Sequence, residues 1–327
     1  MRLFLTLIVA TALGVLAAGY GWVNQRFELP AASVDLAIEP GLNAREVANA
    51  VVQAGVPVNA NLLYAWFRLS GNSRNIKAGS YELTPGTTPR SLLEKLVRGE
   101  EALRAVTLVD GWTFRQVRQA LKKAEQLKPD SQEMSAAVLM AQLGKPGLAP
   151  EGRFFPDTYT YSKGSSDLAV LHRAMRAMDK RLDAAWVQRD PQTPLKTPEQ
   201  ALILASIIEK ETGLPSDRPS IAAVFNNRLR LGMRLQTDPT VIFGLGESFD
   251  GNLRKKDLQT DTPWNTYTRN GLPPTAIAIP GKAALLAAVQ PGTSKALYFV
   301  ARGDGSSAFS NTLDEHNRAV NKYQRGQ

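Results

Sequence analysis

The segment PEQALILASIIEKET, residues 198–212, decides the fold of the C-terminal half of the chain. Thr197 precedes it as a candidate N-cap, its first residue is a proline, and Gln200 completes a Thr-x-x-Gln capping box. Gly213 and Pro215 follow as helix-ending residues. The sequence therefore predicts a bounded and mostly apolar helix over this range, against which a core can pack.

Helical geometry selects one carboxylate of this segment. At about 100° per residue, Glu211 falls within the stripe formed by Leu204, Ile207 and Ile208, whereas Glu209 falls towards its flank. Burial and the negative end of the helix dipole both disfavour ionisation of a carboxyl group, so Glu211 is predicted to donate a proton near neutral pH. The alternative is a solvated glutamate at a frayed helix end.

The N-terminus determines the expected compartment. Residues 3–23, LFLTLIVATALGVLAAGYGWV, form an uncharged stretch long enough to cross the hydrocarbon core of a bilayer. We therefore predict a single N-terminal transmembrane helix that anchors the chain through residues 1–25, with the remainder exported. A cleaved signal peptide is the alternative, because Ala17, Ala18 and Gly19 are small residues of the kind found at cleavage sites.

The composition of the 327-residue chain limits the kinds of site that it can form. Hydrophobic residues make up 43% and charged residues 21%, which is typical of a folded protein, and the net charge is +9. The absence of cysteine excludes disulfides and thiolate metal sites, and only two histidines, His172 and His316, disfavour a Ser-His-Asp triad. Nucleotide-binding motifs are absent and the basic residues are scattered, so no metal, cofactor or nucleic acid is predicted.

A repeated pattern organises residues 32–125. Each repeat has an alternating strand, a glycine turn and a capped helix, in residues 34–47, 79–92 and 106–117. The predicted strands are 34–38, 79–83 and 106–109. Asn43 with Glu46 and Thr113 with Gln116 have the spacing of a capping box. This arrangement resembles a LysM glycan-binding module, although strand–turn–helix units are also common elsewhere. Residues 126–150 are rich in proline and glycine and are predicted to connect this region to a mixed α/β domain over residues 151–327. The expected fold class is α+β.

Polar and aromatic residues follow the helix that carries Glu211. Asp238 precedes Pro239 as in an N-cap and first-turn pair, so a purely structural role is one interpretation. Further on, Asn265 and Tyr267 lie in a loop that also contains a tryptophan and several prolines. Aromatic faces pack on sugar rings and amides bind hydroxyl and N-acetyl groups, so this loop is typical of a sugar-binding site.

Several ordered motifs make the chain similar to the MltG-type (YceG-like) endolytic murein transglycosylases. They are EGRFFPDTY at 151–159, ASIIEKE at 205–211, NRL at 227–229, GMRLQTDPT at 232–240, NTY at 265–267 and GLPP at 271–274. The resemblance covers nearly the whole chain. It implies a membrane-anchored periplasmic enzyme of the cell inner membrane that acts on peptidoglycan glycan strands, with peptidoglycan synthases as candidate partners.

The resemblance also implies roles for particular residues. The catalytic glutamate of that family is the second one of its Glu-Lys-Glu motif, which falls on Glu211. The expected reaction is cleavage of the MurNAc-β-1,4-GlcNAc bond of nascent strands with formation of 1,6-anhydro-MurNAc ends. His316 is interpreted as structural or substrate-adjacent. The substrate-binding candidates are Glu151, Asn227, Arg228, Gln236, Asp238, Asn265 and Tyr267.

Two alternatives stay open at this point. A peptidoglycan hydrolase would use Glu211 as acid and either Asp238 or Glu209 as base. A membrane-tethered scaffold without catalytic activity would bind glycan through the repeated strand–turn–helix region.

Overall fold

A computed structural model describes residues 2–211 and 214–326 and has a mixed α+β fold. The chain forms two compact units, one from the residues up to Arg104 together with 160–165, the other from residues 105–159 and from 166 onward. Residues 105–125, predicted to belong to the first region, are therefore part of the second unit. The predicted connection at 126–150 contains a helix, Ala136–Gln142. The functional domain boundaries stay a prediction.

The first unit is built from one long helix, three shorter helices and an antiparallel pair of strands. Its elements are α1 (Arg2–Val23), β1 (Val34–Ile38), α2 (Ala44–Gln53), α3 (Ala60–Leu69), β2 (Gly79–Leu83) and α4 (Pro89–Arg98). Leu36 of β1 lies opposite Tyr81 of β2, and both side chains are buried in the core of this unit. The predicted strands 34–38 and 79–83 are confirmed, as is the Asn43–Glu46 capping box.

Helix α1 meets the length and composition requirements of a membrane span. Residues Phe4–Val23 form the apolar stretch, and residues 4–21 of it are exposed. Val23 and Phe27, where the helix joins the rest of the unit, are buried instead. The helix is compatible with the predicted membrane anchor, and an N-terminal signal sequence meets the same requirements.

The second unit is mainly helical and contains the central helix of the sequence analysis. The division between the two units falls inside two strands, β3 (Leu103–Thr107) and β4 (Thr158–Ser162). The other elements of the second unit are α5 (Phe114–Lys123), α6 (Ala136–Gln142), α7 (Asp167–Val187), α8 (Pro198–Glu211), α9 (Arg218–Arg230), α10 (Asp238–Leu245), α11 (Lys255–Gln259), α12 (Lys282–Val289), β5 (Tyr298–Ala301), β6 (Ser307–Ser310) and α13 (Leu313–Gln324). Two short 3₁₀ turns precede α9 and follow α10. Within the described residues, the strands form three two-stranded sheets, β1–β2, β3–β4 and β5–β6.

Helix α8 is the centre of the second unit. Every residue from Ala201 to Ile208 is buried, and the helix packs against α7, α9, α10 and α12. The sequence predicts burial along a single apolar stripe, whereas in the structure this part of the helix is buried on all sides. At the N-terminus, Thr197 Oγ1 accepts from the Gln200 N–H at 3.2 Å, whereas the Gln200 side chain accepts from Lys196 rather than from Thr197. The predicted helix start is confirmed, while Thr212 and Gly213 lie outside the described residues.

The third strand–turn–helix segment packs within the unit that contains α8. Gly111 donates to the Ile279 carbonyl at 2.9 Å, and Ile279 donates to the Trp112 carbonyl at 2.7 Å. Lys210 Nζ donates to the Gly111 carbonyl at 3.3 Å. The Thr113–Gln116 capping box that opens α5 is confirmed, but the strand before it ends at Thr107 instead of Val109.

Candidate active site

Glu211, the last residue of α8, is half-buried. Thr237 donates its hydroxyl hydrogen to Oε1 of Glu211. Burial raises the pKa of Glu211, and the nearby Asp238 carboxylate raises it further, while the hydrogen bond from Thr237 acts in the opposite direction. The carboxyl group is thus held closer to the pH range in which it can both give and take a proton.

Glu211 lines an open groove with a volume of about 560 Å³ within the second unit. We call it the Glu211 groove. Its walls come from the end of α8, from α9, α10 and the loops beside them, and from β5 and α13. The lining residues are Glu211, Arg228, Leu235, Gln236, Asp238, Tyr267, Tyr298, Phe299, Val300, Ala301, Leu313, His316, Val320 and Gln324. Five of the eight predicted site residues therefore share one cavity.

The segment before α10 places alternate side chains in the groove. Gln236 and Asp238 line it, whereas Thr237 between them is only 2% exposed. Gln236 has a φ of +48°, which is unusual for a residue with a side chain. Strained backbone of this kind persists only where surrounding contacts enforce it, and Thr266 supplies one, because its carbonyl accepts from the Gln236 N–H at 3.2 Å.

Asp238 and Tyr267 form a hydrogen-bonded pair on the groove wall. The Tyr267 hydroxyl donates to Asp238 Oδ1 at 2.6 Å. Burial raises the pKa of Tyr267 above its ordinary value, and the bond to Asp238 adds to the effect, so the phenol keeps its proton. The pair offers a fixed carboxylate next to Glu211.

Arg228 is a buried cation that lines the groove. Its Nε donates to the Leu297 carbonyl at 2.7 Å and its Nη1 to the Leu235 carbonyl at 2.8 Å. The guanidinium carbon lies 5.2 Å from the centre of the Tyr298 ring. Burial lowers the pKa of Arg228 from its ordinary value. The side chain thus joins α9 to β5 and brings positive charge to the groove.

The structure places Asn227 and Asn265 outside the residues that line the groove. Asn227 Nδ2 donates to the carbonyls of Ser294 and Ala296 at 2.9 and 3.0 Å. Asn265 is fully buried and donates to three backbone carbonyls between residues 257 and 260, while its Oδ1 accepts from the Tyr267 N–H at 2.8 Å. Both amides hold loops that shape the groove, and their contact with substrate stays a prediction.

Glu151 also lies outside the residues that line the groove. Its Oε1 accepts a hydrogen bond from the Phe114 N–H, at the start of α5, at 2.9 Å. Burial raises the pKa of Glu151 to about 7, and the hydrogen bond from Phe114 only partly offsets this rise. Glu151 joins the first turn of α5 to the segment beginning at residue 151, and its predicted substrate contact is untested.

The side chain of Glu209 contacts different residues from those that Glu211 contacts. Its Oε2 accepts from the Gly281 N–H at 2.9 Å, and its Oε1 lies 3.8 Å from Nη2 of Arg218. Burial raises the pKa of Glu209, and the nearby Asp110 carboxylate contributes to the rise. Because Glu209 does not line the groove, Glu211 is the glutamate of α8 that a bound ligand can reach.

Two parts of the site were not predicted: Thr237, which donates to Glu211 but does not line the groove, and the groove wall formed by β5 and α13. Thr237 lies within the quoted motif at 232–240, where its position between two polar residues was the available signal. The wall formed by β5 and α13 carries a stacked pair, Tyr298 and His316, with ring centroids 5.2 Å apart. Burial lowers the pKa of His316, and the charge of Arg228 lowers it further. His316 thus lines the groove. This position is compatible with the prediction that it is structural or substrate-adjacent.

Across residues 2–211 and 214–326, no group of three or more His, Asp and Glu side chains is placed to hold a metal ion. The prediction that the reaction needs neither metal nor cofactor is not tested by this observation.

The chain is thus an α+β protein in which a glutamate at the end of the central helix, Glu211, lines an open groove. The family model described as the YceG-like family matches residues 36–322. The chain belongs to the YceG-like family, which confirms the resemblance found in the sequence.

Relatives in this family carry a common name. A Bacillus subtilis protein named endolytic murein transglycosylase is 30% identical over 310 residues, which cover 89% of this chain and 85% of the relative. A Streptococcus pneumoniae protein of the same name is 27% identical over 88% of this chain, but the match spans only 58% of that protein. A crystal structure of a yceG-like protein from Listeria monocytogenes superposes with a TM-score of 0.56 at 30% identity, covering 88% of this chain and 98% of that one.

Proposed function

We propose that this chain is an endolytic murein transglycosylase, a lyase that cuts peptidoglycan glycan strands at the MurNAc-β-1,4-GlcNAc bond. The observation that carries this proposal is the desolvated Glu211 carboxyl group in an open groove. The family membership and the names of the relatives support the same reaction class. A single acid suits a transglycosylase, because the nucleophile belongs to the sugar.

The proposed reaction uses Glu211 twice. Protonated Glu211 donates its proton to the glycosidic oxygen, and the bond between this oxygen and C1 of the muramic acid breaks through an oxocarbenium-like state. The departing N-acetylglucosamine thus keeps the oxygen and the proton. The C6 hydroxyl of the same muramic acid then attacks C1, and its proton returns to Glu211. The product ends in 1,6-anhydro-MurNAc, and the enzyme regains its starting protonation state without consuming water.

The other groove residues have supporting roles in this proposal. The Asp238 carboxylate, fixed by Tyr267, stabilises the positive charge that develops at C1. Gln236 and Arg228 offer polar groups to sugar hydroxyls and N-acetyl carbonyls. Asn227, Asn265 and Glu151 act on the substrate through the loops that they hold.

The rest of the chain would bring this groove to its substrate. Helix α1 is proposed to anchor the protein in the cell inner membrane with both compact units in the periplasm, where nascent strands are made. The LysM-like region, residues 32–125, is proposed to bind glycan. Peptidoglycan synthases are the partners expected to supply the strands, whose elongation the cut would terminate.

A peptidoglycan hydrolase is the second candidate, because Asp238 lies in the same groove as Glu211 and could serve as a base for water. Isolated sacculi digested by the full-length protein in detergent separate the candidates by product mass. Anhydro-ended muropeptides support the lyase and reducing ends support the hydrolase. The absence of soluble or shortened product would leave only a glycan-binding scaffold.

A further inference from the structure

We propose that Thr237 is a positioning residue for the catalytic proton, because its hydroxyl fixes the Glu211 carboxyl group so that Oε2 carries the proton delivered to the substrate. The inference rests on the proposed function, since it concerns the acid of that reaction. Thr237 does not line the groove and acts through Glu211.

The backbone before α10 directs Thr237 away from the groove. Its neighbours Gln236 and Asp238 both line the cavity, whereas the Thr237 side chain is buried against the end of α8. The positive φ of Gln236 is part of this local geometry, since it turns the chain just before Thr237. A strained turn that buries a hydroxyl beside the catalytic carboxyl group indicates a constraint beyond ordinary packing.

Hydrogen bonds hold Thr237 at both ends of its backbone. Its N–H donates to Thr266 Oγ1 at 3.1 Å, and its carbonyl accepts from Thr240 Oγ1 at 2.7 Å. The hydroxyls of Thr240 and Thr266 are themselves 2.8 Å apart. These three threonines form a closed and buried network, so the Thr237 hydroxyl has little freedom to leave Glu211.

The direction of the bond determines which oxygen can carry the proton. In a protonated carboxyl group the carbonyl oxygen is the stronger acceptor, so a hydroxyl that donates to one oxygen favours the acidic hydrogen on the other. Within residues 2–211 and 214–326, Thr237 is the only donor to the Glu211 carboxyl group, and it reaches Oε1. Oε2 is therefore the protonated oxygen before transfer. After transfer, the same donor stabilises the carboxylate until the C6 hydroxyl returns a proton.

Two substitutions separate this role from simple packing. Thr237→Val keeps the shape and removes the hydroxyl, whereas Thr237→Ser keeps the hydroxyl. We expect Thr237→Val to lower kcat on the order of 10²-fold with little change in KM, because a misplaced catalytic group costs about that factor. Removal of the donor also raises the pKa of Glu211, so the alkaline limb of the pH–rate profile should move to higher pH. Thr237→Ser should restore most of kcat and the original limb.

The assay is the initial rate of formation of anhydro-ended products from glycan strands by the full-length protein in detergent, measured against substrate concentration and pH. Thr260→Val is the matched control, because its hydroxyl donates only to the Lys256 carbonyl on the exposed surface. Wild-type kcat with an unmoved alkaline limb in Thr237→Val would overturn the proposal. Equal losses in the Val and Ser variants with a lowered melting temperature would overturn it too, since they indicate packing alone.

Glu211→Gln distinguishes this inference from the proposed function. If Glu211→Gln still forms product, the proposed function itself fails. If Glu211→Gln is inactive while Thr237→Val behaves as the wild type, only the role of Thr237 is lost.

Discussion

The Tyr267 hydroxyl donates to Asp238 Oδ1 at 2.6 Å, and both side chains lie on the wall of the groove that contains Glu211. The bond keeps the Asp238 carboxylate in a fixed place on the same groove wall as Glu211. A fixed negative charge disfavours a second one nearby, which is one reason why the pKa of Glu211 is raised. The pair therefore links the geometry of the groove to the pH dependence of the reaction.

Asp238→Asn should move the alkaline limb of the pH–rate profile to lower pH. The proposed reaction needs protonated Glu211, so we expect activity to fall as pH rises through the pKa of this residue. Removal of the neighbouring charge lowers that pKa, and the loss of activity then begins earlier. The measurement is the rate of product formation between pH 4 and 9. Asp261→Asn, which alters an exposed ion pair with Arg269, is the control and should leave the limb in place.

The raised pKa of Glu151 predicts that the free energy of unfolding depends on pH. Its pKa rises from an unfolded value near 4.5 to about 7 in the folded protein, so the folded state holds a proton that the unfolded state has lost between these values. The free energy of unfolding therefore falls as pH rises from about 4.5 to 7, by about 3 kcal/mol at 1.36 kcal/mol per pH unit.

Glu151→Gln should remove this dependence, because the amide keeps an acceptor for the Phe114 N–H and does not titrate. Melting temperatures of the full-length protein in detergent, measured from pH 5 to 8, provide the comparison. We expect the variant to be more stable than the wild type at pH 8. Parallel curves for the two proteins would show that Glu151 is not the titrating group.

Asn265→Asp tests whether this residue holds the loop or contacts substrate. The change keeps an acceptor for the Tyr267 N–H but removes the donors to three backbone carbonyls and adds a buried charge. We expect the free energy of unfolding to fall by about 2 kcal/mol, together with activity. Asn252→Asp, at an exposed position, should change neither. Unchanged stability with lost glycan binding would favour a direct substrate contact.

Helix α1 predicts that the mature protein keeps its N-terminus. The protein expressed in bacteria should partition with the inner membrane, require detergent for release, and show the intact mass of all 327 residues. A shortened chain that is released without detergent would instead identify residues 1–25 as a cleaved signal sequence.

The local parts of the fold could be predicted from the sequence. Caps, prolines and alternation act over a few residues, so the strands 34–38 and 79–83 and the start of α8 were found at their correct positions. Assembly depends on distant contacts. The segment 106–117 has the same local pattern as the two before it, but the bonds between Gly111 and Ile279 place it in the other compact unit.

The site was predictable to the extent that it follows from helix geometry and motif identity. The helical wheel selected Glu211, but it did not anticipate that Glu209 would also be partly buried, because α8 packs on several sides rather than one. The far wall of the groove comes from β5 and α13, far along the chain from α8, and carries few charged residues. Only the folded chain brings Tyr298 and His316 into the same groove as Glu211.

The most direct test of the central claim compares two neighbouring glutamates of α8 in the sacculus digestion. Glu211→Gln should yield no anhydro-ended product while the protein stays folded. Glu209→Gln, whose side chain can still accept from Gly281, should keep cleavage within the same order of magnitude. Persistent product formation by Glu211→Gln, or loss of activity in Glu209→Gln alone, would contradict the account.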